Sequence, residues 1–127
     1  MIGRAEAVLY HEELIRRFGG ATGIRDEGAL DAALNRPFAT FDGQDLFPTT
    51  VAKCAAMLHG IVTGHPFIDG NKRTDYVLAR LILQEAGSDH HADTHERYEM
   101  IIRVATGRMD VDELQAWLAS RVAPIKG

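Results

Sequence analysis

Pro66 separates two helical periods, and that break constrains the fold of this chain more than any other feature. Upstream, about Thr49 to Thr63 carries Val51, Cys54, Ala55, Leu58, Ile61 and Val62 on one wide face rich in small residues. Such a face suits a central helix packed closely on its neighbours. Downstream, about Gly70 to Ala86 repeats the pattern with Val77, Leu78, Leu81, Ile82 and Leu83 and stops at Gly87. Between them the proline bars helix continuation and biases His65 away from the helical region. The loop from His65 to Thr74 therefore feeds a helix N-terminus, where unpaired N–H groups and the positive end of the helix dipole attract anions. Gly70 lets an anion approach the backbone with no side chain in the way.

The remaining periods are also helical. About Ala5 to Phe18 turns Val8, Leu9, Leu14, Ile15 and Phe18 inward and closes on Gly19-Gly20. Asp26 caps a second helix running to about Arg36, with Leu30, Ala33 and Leu34 buried and Pro37 ending it. Asp93 with Glu96 and Asp110 with Glu113 have the spacing of capping boxes, and each opens one of the last two helices. Gly107 closes the fifth, and Leu114, Trp117, Leu118 and Val122 form the buried stripe of the sixth before Pro124 stops it. The expectation is an all-α bundle of about six helices.

One stretch departs from this, since Arg36 to Pro48 is long for a connection without helical period. It holds Phe38, Phe41, Leu46 and Phe47 around Asp42-Gly43, a dipeptide that favours a type I′ hairpin turn. The pattern predicts a small β-flap upstream of the loop. The alternative is a loop whose aromatics cover the core.

With 127 residues, 46% of them hydrophobic and 25% charged, the chain reads as one soluble domain over 1–127. A net charge of −4 argues against a generic nucleic-acid or membrane-surface binder, so the local basicity of Lys72, Arg73 and Arg80 needs a specific cause. Cys54 has no second cysteine to pair with and sits in an apolar helical pattern, as a buried inert thiol does in a reducing cytosol. No apolar run approaches the roughly 20 residues of a membrane span, and no N-terminal export signal is present, so a cytoplasmic location is expected.

The loop carries the chemistry. His65, with a reference pKa of about 6.5, can take a proton from a hydroxyl as it attacks phosphorus, although a solitary histidine at a helix end is more often structural. Asp69 offers the hard oxygen that Mg²⁺ takes alongside substrate phosphates and waters, or it simply caps the following helix. Asn71 can donate to a phosphoryl oxygen while its own N–H joins the anion nest, or it is a second helix-start residue. Arg73 presents a planar fork for two phosphate oxygens and Lys72 a mobile charge, unless both are solvated surface cations. Arg80, two turns beyond Arg73, either extends this cationic rim or pairs with a carboxylate. The ring of Phe67 should plug into the core and anchor the loop.

His65-Pro66-Phe67-Ile68-Asp69-Gly70-Asn71-Lys72-Arg73 resembles the H-x-F-x-[DE]-[AG]-N-x-[KR] loop of the Fic and Doc superfamily, and its Asn-Lys-Arg ending resembles the Doc branch. Gly23-Ile24-Arg25-Asp26, followed by Gly28, Leu30 and Ala33-Leu34, is similar to the second-helix region of Doc-like toxins. The resemblance implies a compact Fic/Doc-like helical bundle in which the histidine matching His65 is the general base and the acid matching Asp69 binds Mg²⁺. It implies nucleotide phosphates held at Gly70, Asn71, Lys72 and Arg73, and a flap that docks the target chain as an added strand, here with Phe38, Phe41 and Gly43. Members with lysine at the position of Lys72 are thought to bind ATP in the reversed sense and to pass the γ-phosphate to a threonine of elongation factor Tu. Typical Fic enzymes, with glycine there, transfer AMP instead.

Two positions depart from the family pattern. Tyr76 stands where Fic loops carry a further arginine, which weakens the AMP-transfer reading. Asp75 either repels phosphate or neutralises Lys72, and reduced activity would leave a Fic-fold module that only binds partners. No glutamate stands in the [ST]-x-x-x-E-[GN] pattern of self-inhibited relatives. The resemblance thus implies inhibition from outside by a cognate antitoxin with a disordered tail, alongside a translation factor as protein substrate and no direct contact with nucleic acid. Elsewhere, His90, His91, Asp93, His95 and Glu96 read as a polar loop rather than a metal site, because Asp93 caps a helix between the two histidines spaced four apart. His11 and His59 lie in helical segments and are expected to be partly buried polar residues, His59 lining the central helix near the loop.

Overall fold

The computed structural model describes residues 2–125. In chain order the elements are α1 (Arg4–Phe18), α2 (Glu27–Asn35), β1 (Thr40–Phe41), β2 (Gln44–Asp45), α3 (Thr50–Gly64), α4 (Asn71–Glu85), β3 (Ser88–His90), α5 (Thr94–Ala105), α6 (Val111–Ala119) and β4 (Val122–Pro124). The fold is the expected helical bundle, and α3 is its axis, packing on α4, α2, α6 and α5. The sequence explains why. Ala52, Cys54, Ala55, Ala56, Met57, Leu58, Ile61 and Val62 are all buried, so α3 is apolar almost all round. Its small residues permit close approach: a Cβ on Gly60 would sit 3.0 Å from Cβ and 3.2 Å from Cα of Ala33 on α2. Each large aliphatic buried against it, such as Leu30, Leu78, Leu114 and Leu118, contributes about 1.5–3 kcal/mol.

Side chains close the starts of α2, α3, α5 and α6. Asp26 accepts the Ala29 N–H, Thr49 that of Ala52 and Asp93 that of Glu96. Asp110 and Glu113 form a complete capping box. At Asp93 the box is half made, because Glu96 turns its carboxylate to Arg121 at 2.6 Å. The flap is a hairpin in which Thr40 pairs with Asp45 and Phe41 with Gln44. Asp42 and Gly43 take φ of 52° and 74°, the double positive φ of a type I′ turn. Phe38 and Phe41 are exposed and do not cover the core, whereas Phe47 is half-buried.

Two expectations about faces fail. Leu9 and Phe18 are 65% and 61% exposed, while Ala7, His11 and Ile15 line the buried side of α1. The stripe from residue 7 to 15 at spacings of four fits the inner face, and the larger apolar side chains lie off it. The sixth helix ends at Ala119, and Val122 belongs to β4, whose register pairs Ser88 with Pro124 and His90 with Val122. This two-strand clasp ties the exit of α4 to the end of α6. The Arg80 guanidinium holds Asp89 there at 2.8 and 3.0 Å, so that carboxyl stays far below the ordinary carboxylate range. Arg80 is thus an ion-pair partner and not a rim cation.

Asp75 neither faces phosphate nor meets Lys72. It lies fully buried on the inner face of α4, and neither carboxylate oxygen has a hydrogen-bond partner among the described residues. Burial pushes its carboxyl well above the ordinary range and so favours the neutral form. The Cys54 thiol is likewise pushed up to about 12, chiefly by burial, which leaves it inert.

Candidate functional site

The turn between α3 and α4 is built from both sides. His65 ends α3 in the left-handed region at φ 46°, with its N–H still bonded to the Ile61 carbonyl. Arg25 caps the same helix end, donating from Nε to the His65 carbonyl at 2.7 Å and from Nη2 to the Gly64 carbonyl at 2.6 Å. The Pro66 carbonyl accepts the N–H groups of Arg25 and Asp26, and the Gly23 carbonyl accepts the Ile68 N–H. The segment before α2 therefore lies against the loop like a short strand. This is a function of Gly23 to Asp26 that periodicity gives no hint of. Arg25→Ala is expected to lower stability by about 1 kcal/mol. It should also speed amide exchange at His65 to Asp69 relative to the helix cores, as hydrogen-exchange mass spectrometry would read.

The loop's interior is fixed by Phe67 and Asn71. Phe67 is 1% exposed, in the core as expected. Asn71 folds its carboxamide back on it, with Oδ1 accepting the Phe67 N–H and Nδ2 donating to the Phe67 carbonyl, both at 2.9 Å. That side chain is spent on the loop. What Asn71 offers an anion is its main-chain N–H and one remaining amide hydrogen.

Gly70, at φ 72°, is the N-cap of α4, and no side chain caps the helix. Asp69 is not the cap. Its Oδ1 accepts the Gly70 N–H at 2.9 Å, and its Oδ2 lies 3.3 Å from the Ala21 N–H. The first bond within α4 runs from the Thr74 N–H to the Gly70 carbonyl, so the N–H groups of Asn71, Lys72 and Arg73 have no acceptor in the helix. They open on a cleft of about 340 Å³ lined by His65, Ile68, Asp69, Gly70, Asn71, Lys72 and Arg73. The structure thus brings His65, Asp69, Gly70, Asn71, Lys72 and Arg73 to one cleft. It leaves Phe67 beneath the cleft and Phe38, Phe41 and Gly43 on the separate flap.

Phe18, expected inside, lies under the Arg73 guanidinium, 4.4 Å from its centre. This contact fixes the fork at the cleft mouth while keeping its charge solvated. His59 is at the flap's base instead of the cleft, accepting from Arg36 at 3.2 Å, and burial and that cation hold its pKa below the ordinary value.

The carboxylate supply decides how a metal could be held. No group of three or more His, Cys, Asp or Glu that could hold a metal ion is gathered among the described residues. His95 pairs with Glu99, and buried His90 contacts the Tyr76 hydroxyl, its pKa lowered to about 4 mainly by burial. Asp69, with lone pairs left over beside an anion-attracting helix end, fits the one-carboxylate mode in which Mg²⁺ arrives with phosphates.

This arrangement can seat a phosphate chain against three amides and two cations, with an imidazole and a carboxylate at its edge. Sequence comparison points the same way. The family described as Fic/DOC matches over residues 3–83. Toxin Doc of Mycolicibacterium smegmatis is 39% identical over 108 residues, covering 84% of this chain and 83% of that protein. Protein kinase doc of Escherichia phage P1 is 31% identical over 116 residues, covering 89% and 88%. With the His65 to Arg73 loop bent around the start of α4 and these relatives spanning most of its length, the chain belongs to the Fic/DOC family, as a Doc-like member.

Proposed function

We propose that this chain is a toxin kinase that transfers the γ-phosphate of ATP to a serine or threonine hydroxyl of a translation factor, with elongation factor Tu the expected target, and so arrests protein synthesis. The observation that carries this reading is the shared cleft: His65 and Asp69 edge the same 340 Å³ space into which the amides of Asn71 to Arg73 open. The kinase name of the phage relative and lysine at Lys72 support phosphate over AMP transfer. The toxin name of the mycobacterial relative supports the biological role.

In this mechanism the amides at the start of α4 and the charges of Lys72 and Arg73 bind the phosphate chain and offset the negative charge that builds up on transfer. Asp69 would hold Mg²⁺, which supplies charge neutralisation to the phosphates when bound. His65, exposed at the rim, takes the proton of the incoming hydroxyl. The hydroxyl oxygen bonds to the γ-phosphorus, the bond to the β,γ-bridging oxygen breaks, and ADP leaves. The flap adds the target as a strand along its exposed edge, with Phe38 and Phe41 as apolar contacts. A cognate antitoxin whose tail folds on binding restrains the enzyme in the cytoplasm.

ATP labelled at the α or the γ position, incubated with the chain and elongation factor Tu, tests this directly. Label should reach the protein from the γ position only. Transfer of α label would make the chain an AMP transferase, and growth arrest that survives His65→Ala would make it a binding module.

A further inference from the structure

His11 takes no part in the chemistry above, yet it is one of very few polar side chains in the core. It is 1% exposed on the inner face of α1, more than fifty residues upstream of the loop. Its ring stacks on that of Phe67, with centroids 3.9 Å apart and planes 7° from parallel. Its Nε2 lies 2.7 Å from the main-chain carbonyl oxygen of Asp69. A carbonyl oxygen can only accept, so Nε2 carries the hydrogen and the ring's tautomer is set by this bond. An apolar residue could fill the same space without the cost of burying an imidazole, and the bond to Asp69 offsets that cost.

The carbonyl it grips belongs to the peptide between Asp69 and Gly70. That peptide sets the direction in which the Asp69 carboxylate leaves the backbone and the start of the α4 amide array. The rest of α1 and its exit close around the same peptide sterically. A Cβ on Gly70 would lie 3.0 Å from Cδ1 of Ile15, and one on Gly20 would lie 2.7 Å from Oδ2 of Asp69. Two contacts are polar and directional: the Ala21 N–H meets the Asp69 carboxylate at 3.3 Å, and the shorter His11 bond holds the main-chain carbonyl itself. Arg25 holds the loop where it leaves α3, and His11 holds it where it enters α4.

We infer that His11 is a positioning residue: through its bond to the Asp69 carbonyl it aims the Asp69 carboxylate and the amides of Asn71 to Arg73 into the cleft. It touches no substrate. The structural part of this inference stands by itself, and only its consequence for turnover rests on the proposed kinase reaction.

Two substitutions separate the bond from the packing. His11→Phe keeps a ring on Phe67 and removes the donor, while His11→Gln keeps an N–H donor and removes the ring. In ligand-free protein, His11→Phe is expected to speed amide exchange at Gly70 to Thr74 by at least about tenfold beyond any global change, with His11→Gln closer to wild type. Nitrogen-15 spectra of the wild type should show a slowly exchanging imidazole Nε2 proton. In the transfer assay kcat should fall by about ten- to a hundredfold in His11→Phe while KM for the protein target stays put, and His11→Gln should recover most of the loss. Unchanged protection and kcat in His11→Phe would overturn the inference, as would equal losses in both variants that track only their stability. If the wild type transfers no phosphate at all, the kinase reading fails, and the amide exchange and the imidazole proton still decide the role of His11.

Discussion

Replacing His65 with alanine is expected to lower phosphate transfer by about 10² to 10⁴-fold, the usual contribution of a positioned general base, while leaving the fold intact. The imidazole is exposed, and no side-chain hydrogen bond of His65 occurs among the described residues. What holds the residue is its main chain, through Ile61 and Arg25, and alanine keeps both bonds. Stability should therefore change by no more than about 0.5 kcal/mol. The measurement is the single-turnover rate with labelled ATP beside a denaturation midpoint on the same sample.

Asp75→Ala should raise stability at neutral pH by about 1–3 kcal/mol, or roughly 5–10 °C in midpoint, an unusual sign for a core substitution. The carboxyl is fully buried without a partner, so folding strips it of water and returns no bond. Alanine removes that penalty and gains helix propensity, against which the small void it leaves counts for less. The pH dependence follows from the raised carboxyl of the folded protein. Between the ordinary carboxylate range and the folded value, the folded state holds a proton that the unfolded chain has lost. This group's contribution is thus complete below the ordinary range and is lost as the pH rises through the folded value. The stability gap between Asp75→Ala and wild type should widen as the pH rises above the ordinary carboxylate range. His90 runs the other way. Its pKa is depressed to about 4, so it costs stability as the pH falls from about 6.5. The variant and the wild type share that loss, which cancels in the difference between them.

The local parts of this fold were legible and the distant ones were not. Pro66 and Gly70 stop and start helices by their own backbone chemistry, and Asp42-Gly43 dictates its turn, so the loop and flap could be read in place. The cleft residues fall within nine positions and follow from one another. Asp75, by contrast, is hard to place because a carboxylate invites a surface assignment. Its spacing to Leu78, Ala79, Ile82 and Leu83 already put it on the inner face of α4. The apolarity of Phe18 points it inward, with no sign of the Arg73 guanidinium 55 positions on. Ser88 to His90 carries no strand pattern, and Val122 continues the stripe of α6, so their pairing depended on a partner more than thirty residues away. The roles of His11 and Arg25 are hidden for the same reason: each acts on the loop through a main-chain carbonyl, which leaves no trace in residue type or spacing.

The central claim is that the start of α4 receives nucleotide phosphates, and an amide-resolved titration of the protein with ATP and Mg²⁺ tests it most directly. The largest shifts should fall on Gly70, Asn71, Lys72 and Arg73, and Asp69→Asn should weaken the response to Mg²⁺. Shifts confined to the flap, with the α4 amides unmoved, would contradict the account.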